Sequence, residues 1–175
     1  MPDPALSAAL AEAYASAPVD SLILHTVELH HPAFTVPVRV VRDRVTLDAR
    51  LEATAPADGG DVVTFVPFAF DLTPPDQTTS GAPQCVLEID NVSRDILVQV
   101  RLAIREPDPV LMIYRAYLDG AALDGPENDP PLRLELKQVS ATPLRIRAVA
   151  GFPDLLGQSF PRLVYDVARF PGLVP

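Results

Sequence analysis

The feature that most limits the fold is a succession of short runs rich in β-branched residues, each closed by turn formers. Ser21–Leu29 (SLILHTVEL), Val36–Val41 (VPVRVV) and Val45–Ala53 (VTLDARLEA) come first. Val62–Leu72 follows the exposed turn APADGGD, and Cys85–Ile89, Val110–Leu118, Leu132–Val139 and Leu144–Ala150 complete the set. Val, Ile, Thr and aromatic residues suit a pleated, half-buried surface, whereas Gly, Pro, Asn and Asp interrupt it. Runs of this length at this spacing predict about eight strands and a mainly β (α+β) fold of barrel or sandwich type. No period repeats, which excludes a solenoid.

Two short helices accompany the strands. Asp3 before Pro4 makes an N-cap followed by proline at the first helical position. Leu6, Ala9, Leu10, Ala13 and Tyr14 keep helical spacing, so a helix is expected over 4–17, stopped by Pro18. Residues 92–104 fit two readings. Ile96, Leu97, Val100 and Ile104 form a helical stripe, yet Ile96, Val98, Val100, Leu102 and Ile104 alternate as a strand would. Ser93 as cap and Asp95 in the first turn favour the helix. Phe152–Gly157 has room for one helical turn. Two long loops are predicted, Thr73–Pro83 and Asp119–Pro131, and loops of that length are often functional, so both are expected to act as contact arms.

Composition narrows the function classes. A chain of 175 residues with 48% hydrophobic content can build one real core. Twenty-three acidic against 14 basic residues give a net charge of −9. Duplex-binding surfaces rely on clustered Lys and Arg, so sequence-specific nucleic-acid binding is not expected. The N-terminus lacks the basic start and apolar run of a signal peptide, and no window reaches the length of a membrane span. The expectation is a soluble chain made in the cytoplasm.

Candidate chemistry is thin. Cys85 is the sole cysteine, so an internal disulfide and a cysteine-built metal site are excluded. It sits in an apolar strand, where a buried thiol is the default. Zinc needs three or four converging ligands, but His30 and His31 are neighbours that a strand sends to opposite faces, and His25 stands apart. The acidic loop residues Asp119, Asp124, Glu127 and Asp129 do not follow the ligand order of a calcium loop. Glu88 and Asp90 share one strand face, a weak sign of catalysis alone. No GxSxG, GxGxxG or P-loop occurs. Neither catalytic residues, nor a cofactor, nor a metal is assigned.

The stretch Ser159–Pro175, SFPRLVYDVARFPGLVP, carries nine apolar side chains, three prolines and three charges. Termini are usually polar and frayed. A contiguous apolar stretch of this kind reads as an interface. The chain is therefore divided into a β-rich domain, 1–158, and a C-terminal assembly arm, 159–175. In that arm Phe160, Leu163, Tyr165, Phe170 and Leu173 supply apolar area, and Arg162 and Arg169 form a polar rim.

The order of pieces carries a resemblance. An Ala/Leu helix precedes a strand ending VELHHP. The strand VTFVPFAFDL, the strand–turn–helix CVLEIDNVSR and the strand PVLMIYRAYL come next, and the chain closes on FPRLVYDVARFPGL. Over essentially its whole length this resembles the small tail-protein family of long-tailed siphophages and prophages. It is also similar to the N-terminal part of the minor tail protein L family of lambda-like phages. Val86–Arg94 and Phe160–Leu173 are its most specific parts.

The resemblance implies a non-enzymatic tail-hub domain in the virion's tail tip, assembled in the host cytoplasm. It would join the tail tube and distal tail protein to the central fibre protein, as a trimer or alternatively a hexameric ring. Those relatives carry a C-terminal cysteine cluster that binds an iron–sulfur centre. This chain has no cysteine after Cys85, so that centre is not expected. The alternative reading, a small-ligand or carbohydrate-binding β-barrel, is disfavoured by 6% aromatics and no Trp.

Overall fold

The computed structural model describes residues 8–16, 22–73, 84–90, 94–103, 106, 108–142 and 144–153. Among these are helices α1 (Ala8–Ser16) and α2 (Arg94–Ala103) and nine strands. The strands are β1 (Ile23–His30), β2 (Val38–Val41), β3 (Leu47–Arg50), β4 (Val62–Pro67), β5 (Phe70–Thr73), β6 (Gln84–Asp90), β7 (Leu111–Leu118), β8 (Leu132–Ala141) and β9 (Arg145–Gly151). The expected run Val62–Leu72 is thus two strands, because Phe68 and Ala69 turn the chain from one partner to another. The Asp3–Pro4 cap, most of the loop Thr73–Pro83 and the arm 159–175 lie outside the described residues.

Strand order is β3-β4-β2-β1-β7-β8-β9-β6-β5, antiparallel throughout except for β2 against β4. β4 and β5 stand near opposite ends of that order, yet only two residues separate them in the chain. Phe68 N donates to Val41 O (3.0 Å), and Asp90 N donates to Ala69 O (2.9 Å). One bent segment therefore pairs with β2 on one side and β6 on the other, closing the sheet into a barrel. Closure leaves few free backbone edges, the liability of an open sheet. The hairpin of β3 with β4 projects from this wall.

Directly opposed residues share a face, so the register sorts the side chains. Val27, Leu29, Val38, Val40, Met112, Leu134, Ile146, Ala148 and Ala150 point inward, joined by Cys85, Leu87 and Ile89 at strict alternate positions of β6. A bulge between Leu136 and Gln138 lets Lys137 stand out of the β8–β9 ladder. α2 completes this core with Ile96, Leu97, Val100 and Ala103. The helical reading holds over the described residues 94–103, because Ile96, Leu97 and Val100 have an apolar barrel end to cover. Thr35, just beyond β1, ties the helix in place by donating its backbone N–H to Gln99 Oε1 at 3.2 Å. α2 thus fills the mouth where β1 and β6 leave the barrel. α1 contributes a fully buried Leu10.

Candidate functional site

The outer face of β2, β1 and β7 is not left to solvent. Leu24, Val41 and Tyr117 project from it into a second apolar cluster with Ala49, Leu51 and Phe65 of the projecting hairpin. Beside that cluster lie charges that the strands carry in mid-run. Arg115 is 0% exposed, as is Glu28 on the neighbouring strand. The Arg115 guanidinium donates to Glu28 Oε2 (2.8 Å) and makes a two-pronged contact with Glu52, at 2.6 and 3.0 Å. Arg39 approaches Glu28 at 3.6 Å and bonds Asp58 at 2.6 Å. Arg133 reaches Glu52 at 3.4 Å and Thr54 O at 2.8 Å.

Three arginines and three carboxylates therefore strap the connection 51–61 onto the barrel wall. Asp58 adopts a left-handed φ of 53°, and a side chain at Gly59 would sit 2.7 Å from Ala53 O. The sharp turn APADGGD brings both Glu52 and Asp58 down on the wall. Burial alone would raise the Glu52 carboxyl, but its bond to Arg115, that residue's charge and Arg133 hold it below the ordinary value. For Arg115, burial works against the charge and the two carboxylates overcome it. Burial pushes the Tyr117 phenol upward, and its hydroxyl donates to Arg50 O at 3.1 Å. The charges of the clasp pair with one another across the wall and hold the connection 51–61 against it.

The histidines do not converge. His25 lies on β1 with Nδ1 2.7 Å from the Tyr114 hydroxyl and its ring stacked on that tyrosine. Burial, then the charge of Arg42, holds its pKa below the usual value. His31 is buried just after β1: Ala33 N–H donates to Nδ1, which leaves Nε2 to donate to Asp108 O, both at 3.0 Å. His30 ends β1. Among the described residues no group of three His, Cys, Asp or Glu is placed to hold a metal ion. Cys85 is buried, and burial pushes its thiol up. Glu88 and Asp90 pair with Arg145 and Arg147 on β9.

The loop Asp119–Pro131, expected from its length to be a contact arm, is fastened to its own barrel. Its polar groups bond its own chain: Asn128 accepts from Ala116 N (2.9 Å) and donates to Tyr114 O (3.1 Å), and Glu127 N donates to Ala116 O (2.9 Å). β8 stops pairing with β7 at Tyr114, and this loop takes over the vacated edge. Ala122 is buried in the second cluster.

Two surface grooves stand out among the described residues. One, of about 450 Å³, is lined by two arginines, Arg42 and Arg44, and four carboxylates, Asp43, Asp71, Glu88 and Asp90. The other, of about 460 Å³, runs beside α2 and is lined by Val36, Val38, Val66, Phe68 and Ile96, with Arg39 and Gln99 at its rim. Val36 is 59% exposed and Val66 46%. The predicted interface residues Phe160, Arg162, Leu163, Tyr165, Arg169, Phe170 and Leu173 lie outside the described residues. Neither the clasp nor the groove was singled out from the sequence. Glu28 within VEL and Arg115 within YRAY, charges inside strongly apolar strands, were the signal for the clasp.

Among the described residues, no helix is long and apolar enough to cross a membrane. In comparison with known families, the model described as Domain of unknown function (DUF1833) matches residues 9–165, most of the chain. No curated protein matches.

Proposed function

The chain belongs to the DUF1833 family, and from that premise we propose that it is a structural, non-enzymatic component of a long-tailed bacteriophage or prophage tail tip. In this reading it forms a hub or ring, trimeric or alternatively hexameric, between the distal tail tube and the central fibre. The observation that carries it is the order of VELHHP, VTFVPFAFDL, CVLEIDNVSR and FPRLVYDVARFPGL along the chain, which resembles the small siphophage tail proteins. The fold adds support of a general kind. A barrel packed solid inside, with an exposed apolar groove at one mouth, has little to offer a substrate and much to offer a neighbour.

The alternative, a small-ligand or carbohydrate-binding barrel, would use either an open lumen or an aromatic surface platform, and the sequence is poor in aromatics. Here Val27, Leu29, Met112, Leu134 and Ile146 occupy the interior and α2 covers one end. The test is an antibody against this chain applied to intact virions, together with deletion of its gene. Label at the tail tip and loss of infectious tails are expected. Normal, infectious tails from the deletion would overturn the proposal.

A further inference from the structure

We draw no further inference here: the strongest candidate, the apolar groove beside α2 lined by Val36, Val66, Phe68 and Ile96, carries nothing, because nothing in the structure shows what covers it.

Discussion

The two faces of the barrel wall are held in opposite ways. The inner face is apolar, filled by alternate residues of seven strands and α2, and its contacts are interchangeable in kind. The outer face of β2, β1 and β7 is held by named partners: Arg115 with Glu28 and Glu52, Arg39 with Asp58. Apolar packing tolerates any side chain of similar volume. A buried ion pair tolerates almost nothing on one side alone, because the remaining charge is stranded. The inner face should therefore fail gradually, and the outer face abruptly.

The largest test of that contrast is Arg115→Ala. Removing the guanidinium leaves Glu28 and Glu52 buried without their cation, and the expected loss is about 3–5 kcal/mol by urea unfolding. The triple change Glu28→Leu, Glu52→Leu and Arg115→Met removes the buried charges that Arg115→Ala would strand, leaves Arg39 its bond to Asp58 and Arg133 open to water, and should recover most of that loss. If the triple variant is as weak as the single one, the clasp stabilises through more than charge balance, and the contrast breaks.

Next in size is the inner face. Leu97→Ala, on the buried face of α2, should cost about 2–5 kcal/mol, the range for a buried leucine truncation. Leu97→Met keeps volume and should cost less than about 1.5 kcal/mol. Equal losses from both would mean that the inner face is as exacting as the outer one.

Asn128→Ala should cost about 1–3 kcal/mol. It leaves Ala116 N and Tyr114 O on β7 without the side chain that completes their ladder, the expense of an unsatisfied buried group. A loss below about 0.5 kcal/mol would mean that Asn128 does not fasten the loop 119–131 to β7.

These tests also mark what was legible beforehand. Period-two alternation made the inner face readable, since Cys85, Leu87 and Ile89 announce their side without any partner being known. The helix 94–103 was ambiguous because its apolar residues satisfied both periods, and only an apolar barrel mouth in need of cover decided it. The clasp was not legible. Glu28, Glu52 and Arg115 lie up to 87 residues apart, and pairing them requires the register of β1 with β7. The split of Val62–Leu72 was hidden for the same reason, because a change of partner at Phe68 leaves the composition of a strand intact. The groove combines β2, β4 and α2, so no local pattern could draw it.

Acid should separate the two faces by pH. On the inner side, His25 beside Tyr114 has its pKa held below 6.5. A base whose folded pKa is depressed favours the fold fully above its unfolded value, and that contribution is lost as pH falls through the folded pKa. On the outer side, Glu52 lies below 4.5, so its contribution is present above that pH and is lost as pH falls through its own lower value. Melting temperature should thus fall in two steps on acidification, the first beginning below about pH 6.5 and the second below about pH 4.5. His25→Gln should remove the first step and Glu52→Gln the second. A single step that survives both variants would dissolve the distinction.

The smallest effect sharpens the comparison most. Gln99 accepts a hydrogen bond from Thr35 N at 3.2 Å, so it is a partner-specific contact like those of the clasp, yet it sits on α2 at the solvent edge of the groove. Water can replace what the side chain gives up, so Gln99→Ala should cost no more than about 0.5 kcal/mol. Set beside Arg115→Ala, it asks whether abrupt failure comes from specific pairing or from burial. If Gln99→Ala costs 2 kcal/mol or more, specificity of pairing is the cause. The predicted small loss assigns it to burial, since the same kind of bond is cheap to remove where water reaches it and costly where the wall and the strap exclude it.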